Sequence, residues 1–348
     1  MSARAKTLRL TLACAYVLVA SACATQRTID PLPGEHVPED LSAVEQAAQS
    51  VVAIVVEHGD SGDAFGAGVL YDEEGHILTA HHVVEDADRI LLLISGGYTV
   101  RADIVGVDPI SDFALLQAET LLTDRMRPAK LCTDAPRPGE AVWNIGNPFG
   151  TSRYGGEPSI GHGVVSAIHR TYMNNETGRL YLDSIQHDAP TNPGNSGGGI
   201  FNDRGELLGL NALITTTRET PGDSGVAFAV PTHILVEKAE AFLHGRAPTH
   251  GWFGADEYKQ ATEVFPQGFG RLRAVFGAMA PNGPGQMAGI QPGDVIIKVD
   301  GNELYGIHEV LMLEDAVIPG QQITLTINRA GREFEIQILA GQRPWPWG

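Results

Sequence analysis

Short apolar runs bounded by glycine, aspartate and proline recur along the chain from about residue 50 to residue 234. The clearest runs are residues 67–71, 76–78, 90–94, 113–117, 142–145 and 207–210. This spacing is typical of β-strands joined by tight turns, and it lacks the long helices that βα units place between strands. The pattern therefore predicts a mainly β domain, either a sandwich or a pair of barrels.

The apolar pattern also divides the chain into segments. Apolar residues recur at helical spacing over residues 41–50, which predicts a short helix at the start of a first domain. We predict this domain over residues 41–240. A helix-like stretch at 235–249 ends in Arg246-Ala247-Pro248, which indicates a link to a second unit at 250–341. The tail 342–348 carries Trp345 and Trp347 between prolines and is either a docked end or a partner-binding motif.

The N-terminus has the pattern of an export signal over residues 1–22. An apolar stretch at residues 10–20 follows three basic residues, which are Arg4, Lys6 and Arg9. That stretch is too short to span a bilayer, which favours a cleaved signal peptide. The polar, proline-rich residues 23–40 then predict a tether or linker.

The end of this signal contains Ala20-Ser21-Ala22-Cys23. Small residues before a cysteine resemble a bacterial lipoprotein box, which would make Cys23 the lipidated first mature residue. Ala20 departs from that pattern, since such boxes prefer leucine there, and ordinary cleavage near Ala22 or Ala24 is the alternative. With Ala24 after Cys23, the resemblance implies a periplasmic or envelope protein anchored by lipid, with the outer membrane favoured.

Charge and cysteine usage narrow the classes further. The formal net charge is −18, and an acidic surface repels phosphates, which argues against nucleic-acid binding. Of the three cysteines, Cys14 would leave with the signal and Cys23 would be acylated, which would leave Cys132 without a partner for an intrachain disulfide. We expect Cys132 to be a small buried apolar residue.

The first segment with catalytic potential is residues 77–84, ILTAHHVV. A strand ends at Thr79, and the following turn presents His81 and His82, either of which could act as a general base near neutral pH. The pair matches neither HExxH nor HxxEH, and no cysteine or aspartate cluster lies nearby, so the sequence predicts no metal site.

The second segment, VGVDPISDFALL at 105–116, places Asp112 just before an apolar run. Asp108 competes for the role of catalytic acid, but its spacing from the strand is less suitable. A turn or capping role would explain either aspartate on its own.

The third segment is TNPGNSGG at 191–198. Asparagine, proline and glycine force a tight irregular loop, which can aim consecutive backbone N–H groups at one point beside an exposed Ser196 hydroxyl. We predict an oxyanion hole built from Gly194 and Ser196, with the Asn195 N–H close by.

Together these segments resemble the HtrA (Deg) family of trypsin-like bacterial serine proteases. TAHHV resembles the family's TxxHV and implies His82 as the base, and DPISDFALL resembles DxxxDxAxL and implies Asp112. DSIQHDAPTNPGNSGGGIFNDRGELLGLNALI, WNIGNPFG and GVAFAVPT match further family blocks, so the resemblance spans roughly residues 41–235. It implies a chymotrypsin-like double six-stranded β-barrel with a His82, Asp112 and Ser196 triad.

Substrate preference is only partly readable. Trypsin-like enzymes that cut after lysine or arginine carry a carboxylate six residues before the nucleophile, and this chain has Pro190 there. Asp188 lies two residues too early to replace it. We therefore expect small or medium aliphatic residues before the cleaved bond, as the family resemblance implies.

Residues 250–341 resemble one α+β PDZ domain, since MAGIQPGDVI at 287–296 is similar to the fold's AGLxPGDxI. The carboxylate-binding loop is predicted at Trp252, Phe253, Gly254 and Ala255, with 268–270 as the rival. A domain that only packs on the protease is the alternative.

The resemblance implies an ATP-independent envelope endopeptidase acting on misfolded or regulatory proteins, regulated by apolar C-terminal peptides at the PDZ domain. No nucleotide motif is present and no cofactor is predicted. The alternative is a latent protease that serves as a peptide-binding chaperone or stress-sensing scaffold. Family members form homotrimers through aromatic residues near the protease N-terminus, but residues 24–50 contain no Phe, Tyr or Trp.

Overall fold

The computed structural model describes residues 42–59, 63–120, 125–154, 157–173, 177, 179–214 and 225–344. The predicted signal peptide 1–22, Cys23, the linker 23–40, and the tryptophans at 345 and 347 lie outside these residues. No helix in the described ranges is both long and apolar enough to cross a membrane.

A short helix and a closed barrel begin the described part. Helix α1 (Ala43–Ala48) starts at a capping box in which Ser42 and Glu45 bind each other's backbone N–H. The barrel strands are β1 (Val51–Glu57), β2 (Asp63–Leu70), β3 (His76–Ala80), β4 (Arg89–Ile94), β5 (Tyr98–Asp108) and β6 (Phe113–Ala118), and helix α2 (His81–Val84) follows β3. They close in the order β1-β2-β3-β6-β5-β4, because β4 pairs with β1.

A second barrel follows. Its strands are β8 (Ala141–Gly146), β9 (Ser159–Met173), β10 (Leu180–His187), β11 (Gly199–Phe201), β12 (Glu206–Ile214) and β13 (Ala227–Pro231). The ring closes because β11 pairs with both β8 and β12, while β7 (Lys130–Leu131) adds a parallel edge to β12. Between β8 and β9, a 3-10 segment spans Pro148–Tyr154, and helix α3 (Thr232–Leu243) follows β13. Two six-stranded barrels confirm the predicted protease fold.

The C-terminal unit is an α+β fold. Its strands are β14 (Gly251–Trp252), β15 (Tyr258–Val264), β16 (Gly270–Phe276), β17 (Val295–Val299), β18 (Asn302–Glu303), β19 (Gln322–Arg329), β20 (Arg332–Leu339) and β21 (Gly341–Gln342). The main sheet runs β15-β16-β17-β19-β20, β18 extends β17, and β14 pairs with β21. Helices α4 (Pro284–Met287) and α5 (Gly306–Ala316) complete the unit.

The barrels and the C-terminal unit share buried apolar surface. Ile110, from the loop before β6, and Leu180, at the start of β10, belong to the same core cluster as Phe253 and Phe276. Both residues are almost fully buried. The C-terminal unit therefore packs directly against the two protease segments that lead to Asp112 and Tyr181.

Candidate active site

The base is presented at the point where β3 stops. The chain turns after Ala80 into the four-residue helix α2, so the His82 ring leaves the barrel end instead of entering its core. His82 Nδ1 lies 2.7 Å from Asp112 Oδ2, and the His82 backbone N–H donates to Asp112 Oδ1 at 2.9 Å. An Nδ1–H bonded to the carboxylate leaves Nε2 as the base, and the ring is 30% exposed for that purpose.

Asp112 is held rigidly although its backbone is in an uncommon conformation. Its φ is 55°, in the left-handed region that aspartate tolerates better than most residues. Its backbone carbonyl accepts the His81 N–H at 3.0 Å, so both the main chain and the carboxylate of Asp112 bind the histidine turn. Burial alone would raise the pKa of Asp112, but the His82 charge and hydrogen bonds, with Arg179, hold that pKa below its usual value. Asp112 is thus ionised in the folded protein.

The loop that carries Ser196 packs against β2 and against the end of β3, directly before the histidine turn. A Cβ on Gly197, whose φ is 78°, would lie 2.3 Å from Ala67 O and 2.9 Å from Ala80 N, so only glycine fits beside the strand that ends in the histidines. The Ala67 N–H also donates to Ser196 O at 2.9 Å. These contacts bring Ser196, which is partly exposed, to the junction of the two barrels.

The backbone N–H groups beside Ser196 differ in whether an acceptor within the protein already binds them. Within the part of the chain that the structure describes, the N–H groups of Gly194 and Ser196 have no acceptor. The Asn195 N–H instead donates to Asn192 O at 3.0 Å. The prediction that Asn195 shares the oxyanion hole therefore does not fit this geometry, because its N–H is already used within the turn. Gly194, with φ of 98°, and Ser196 are left as the two donors.

No hydrogen bond joins Ser196 Oγ to His82 Nε2 among the residues described. Such bonds are often long without substrate and tighten when substrate binds. Asp112 and His82 are already paired in this structure.

The competing residues lie elsewhere. The His81 ring is buried and burial lowers its pKa, whereas its backbone N–H, and not its ring, contacts Asp112. Asp108 binds Lys238 Nζ at 2.9 Å and His250 Nε2 at 2.9 Å, so its carboxylate faces the C-terminal unit. Neither residue is placed to act in the triad.

Two residues next to Asp112 were not expected from the sequence. Tyr181 Oη donates to Asp112 Oδ2 at 2.8 Å, and Arg179 Nε lies 3.4 Å from Asp112 Oδ1. They are separated from Asp112 by more than 60 residues and stand in no motif, so no local pattern could have identified them.

A buried amide network supports the nucleophile loop from below. Asn144 Nδ2 donates to Pro190 O at 2.7 Å, and Asn211 Nδ2 donates to Asn144 Oδ1 at 2.8 Å. The Asn211 carbonyl accepts the Gly197 N–H at 2.8 Å. These asparagines were missed because each lies within an apolar strand, where an isolated polar residue gives no signal.

The prediction that Asp188 lies outside the substrate pocket can be compared with the structure. Asp188 is exposed and its Oδ1 accepts the Val164 N–H at 2.7 Å. It is thus used in the β9–β10 pairing, which agrees with leaving it out of the pocket. The preference for small or medium aliphatic residues stays a prediction.

The predicted carboxylate loop of the C-terminal unit is largely buried and partly occupied. The Phe253 N–H donates to Glu314 Oε1 at 2.5 Å, and Tyr258 Oη and Arg343 bind the same buried carboxylate. The N–H groups of Gly254 and Ala255 have no acceptor among the described residues. A peptide carboxylate here would therefore lie beside an internal one. The rival segment 268–270 forms the exposed turn between β15 and β16.

The described residues give little evidence for a metal site or for a reactive thiol. No group of three or more His, Cys, Asp or Glu side chains there could hold a metal ion. Burial raises the pKa of the half-buried Cys132 thiol, which disfavours the reactive thiolate.

Comparison with known proteins agrees with this geometry. Residues 66–210 match the profile of the trypsin-like peptidase domain, and residues 275–329 match that of the PDZ domain. A probable periplasmic serine endoprotease DegP-like of Halomonas elongata is 31% identical over 298 residues, covering 83% of this chain and 58% of the relative. Its counterpart in Pseudomonas fulva is 33% identical, covering 81% and 56%. The chain thus spans less than two thirds of these curated relatives.

Solved structures extend the match to almost their whole length. The HtrA-type protease AlgW with a tripeptide superposes with a TM-score of 0.72 at 30% identity, covering 88% of this chain and 98% of that one. A serine endoprotease from Yersinia pestis gives 0.65 at 28% identity, covering 87% and 97%. With a trypsin-like double barrel, an Asp112–His82 pair beside a glycine-flanked serine and one PDZ unit, the chain belongs to the HtrA family of trypsin-like serine proteases.

Proposed function

We propose that this protein is a serine endopeptidase of the bacterial cell envelope. The observation that carries the proposal is the Asp112–His82 pair at 2.7 Å, with the loop that presents Ser196 packed against Ala80, two residues before His82. This arrangement is the minimum that serine-protease chemistry needs, and it is independent of nucleotides or metals.

In the proposed reaction Ser196 Oγ attacks the scissile carbonyl while His82 Nε2 takes its proton. Asp112 keeps the ring in the tautomer with Nδ1–H and stabilises the imidazolium that forms. The Gly194 and Ser196 N–H groups receive the developing oxyanion. His82 then protonates the leaving amine. In deacylation water attacks the acyl carbonyl, His82 takes the proton of the water and gives it to the departing Ser196 Oγ, and the new carboxyl product leaves.

Location and substrates are proposed from the relatives and from the N-terminal sequence. The curated relatives are named periplasmic, and residues 1–22 have an export pattern with Cys23 as the proposed lipid attachment site. We propose misfolded or regulatory envelope proteins as substrates and a homotrimer as the assembly. The domain limits 41–240 and 250–341 belong to the same proposal.

Peptide binding by the C-terminal unit is also proposed. The AlgW neighbours are described with a tripeptide and a decapeptide, which supports peptides as ligands of this architecture. Gly254 and Ala255 would bind an apolar C-terminal peptide through their N–H groups, although Glu314 already occupies the Phe253 N–H.

A direct test compares the mature chain with its Ser196→Ala form. We expect the first to cleave an unfolded model protein without ATP and to react with a fluorophosphonate probe, and the second to do neither. Ser166→Ala, which removes an exposed hydroxyl from β9, is the matched control and should behave like the wild type. Cleavage that survives Ser196→Ala, or a wild type inert to both assays with and without apolar peptides, would refute the proposal.

A further inference from the structure

We propose that Tyr181 and Arg179 are positioning residues that orient the catalytic carboxylate of Asp112. The inference rests on the proposed function, since it assigns Asp112 to the triad. Neither side chain reaches toward Ser196 in its hydrogen bonds, so both would act on the reaction only through Asp112.

Tyr181 completes the set of donors around Asp112. Its hydroxyl donates at 2.8 Å to Oδ2, the same oxygen that accepts His82 Nδ1, and it is buried with the carboxylate. A carboxylate oxygen shared by two donors has little freedom to rotate away from the histidine. Burial and the Asp112 charge also raise the pKa of Tyr181, so its hydroxyl keeps its proton and always donates.

Arg179 joins both halves of the acid–base pair. Its Nη2 binds Glu85 Oε2 at 2.8 Å, and its Nε lies 3.4 Å from Asp112 Oδ1. Glu85 is the C-cap residue of helix α2, the turn that carries His82. Arg179 thus contacts Asp112 and also Glu85, which lies three residues after His82 in the chain, so it links the acid to the turn that carries the base.

The two positioning residues share one face of the chain around the start of β10. Side chains alternate along a strand, and Leu180, between Arg179 and Tyr181, packs into the core cluster of the PDZ unit. The Leu180 N–H also donates to Ile110 O at 2.6 Å, and Ile110 lies in the same cluster. Packing of the PDZ unit on Leu180 and Ile110 therefore supports the segments that hold Asp112 in place.

Charge gives this arrangement a second effect. Because Asp112 also binds the Arg179 cation and the Tyr181 phenol, less of its negative charge is available to stabilise the imidazolium of His82. The ionisable groups facing the pair are His81, Glu85, Arg179 and Tyr181, with Tyr172 stacked on Tyr181 at 6.4 Å. Removing either donor leaves more of the Asp112 charge on His82 and should move the acid limb of the pH–rate profile to higher pH, while the lost orientation of the carboxylate lowers kcat.

The test measures kcat, KM and the pH profile of kcat/KM on a fluorogenic peptide that the wild type cleaves. Tyr181→Phe should lower kcat roughly ten- to a hundredfold, the effect of one hydrogen bond to a charged group, with KM nearly unchanged. Its acid limb should move to higher pH. Tyr172→Phe removes a hydroxyl from the residue paired with Tyr181 across β9 and β10 and should match the wild type.

The role of Arg179 is tested with one variant that removes its positive charge and one that keeps it. Arg179→Met should lower kcat and move the acid limb to higher pH, whereas Arg179→Lys keeps the cation and should restore most of both. Arg170→Met, which removes a more exposed arginine of β9, is the matched control. The Arg179 series decides the question even if Tyr181→Phe does not fold.

The outcomes separate the two claims. A wild type that neither cleaves nor reacts with fluorophosphonate would refute the proposed function itself. An active wild type with Tyr181→Phe and both Arg179 variants equal to their controls would overturn only the positioning role. A fall in kcat with an unmoved acid limb, and no recovery in Arg179→Lys, would indicate general structural damage and would also overturn it.

Discussion

Asp108 and Asp112 are separated by three residues, yet their carboxylates bind different parts of the molecule. Asp112 binds His82 in the protease site, whereas Asp108 binds His250 at the start of the PDZ unit. Asp108 also accepts the Ile110 and Ser111 N–H groups, which folds the loop tightly between the two carboxylates. The loop that presents the proposed catalytic acid, Asp112, is therefore also the loop through which Asp108 contacts the PDZ unit.

Asp112→Asn is expected to lower kcat roughly 10⁴-fold with little change in KM, because an amide in place of the carboxylate favours the wrong tautomer of His82. Asp103→Asn, at an exposed position of β5, is the control and should leave kcat unchanged. Steady-state kinetics on a fluorogenic peptide measures both. A similar loss in the two variants would argue against a specific role for Asp112.

Gly194→Ala is expected to reduce kcat about 10²- to 10³-fold, the effect of losing an oxyanion donor. Its φ is 98°, and an added Cβ would lie 2.2 Å from Asn147 O, so the loop must shift and redirect its N–H. Gly139→Ala has a comparable φ of 87° but open space around the added carbon, which isolates backbone strain from displacement of the loop. Retained kcat in Gly194→Ala would remove Gly194 from the hole.

His250 should make the free energy of unfolding depend on pH. Its Nε2 faces Asp108 and its Nδ1 faces Asp315 at 2.6 Å, with Lys238 as the other nearby cation. Burial opposes the charged ring, but the bonds to Asp108 and Asp315 outweigh it and raise the pKa of His250 above 6.5.

A raised pKa sets the sign of this dependence. The stabilisation is fully present below the unfolded-state pKa, about 6.5, and is lost as pH rises through the folded value. Urea unfolding between pH 6 and 9 should show this loss in the wild type but not in His250→Gln. His244→Gln, at an exposed histidine, should keep the wild-type slope. An equal slope in His250→Gln would contradict the prediction.

Glu314→Gln is expected to tighten binding of peptides with apolar C-termini roughly tenfold, about 1.4 kcal/mol. The change removes a buried negative charge that accepts the Phe253 N–H beside the two N–H groups proposed for the peptide. Fluorescence anisotropy with free and C-terminally amidated peptides measures the effect, which should vanish for the amide. Glu309→Gln on the same helix is the control. Unchanged affinity for the free acid would exclude residues 252–255 as the carboxylate loop.

The strand pattern predicted a mainly β domain, and the family resemblance of the sequence motifs predicted the double barrel, the C-terminal PDZ unit and the residues proposed for the triad. Short apolar runs mark the strands, and glycine and asparagine mark the turn at which Ser196 stands, whereas His82 and Asp112 were identified by the family motifs around them. Each of these signals is contained within about ten residues of chain, which is why a linear pattern could carry them. The fold is now confirmed, while the export signal, Cys23 and the linker stay predictions outside the described residues.

Tertiary structure alone decided how these parts are joined. The Tyr181–Asp112, His250–Asp108 and Glu314–Phe253 contacts link residues 69, 142 and 61 positions apart, and none leaves a periodic trace in the sequence. Asn195 shows the same limit at short range, because only the turn geometry revealed that its N–H binds Asn192 O. A sequence shows which side chains are present at each turn, but the direction of a donor and its distant partner depend on how the strands close and pack.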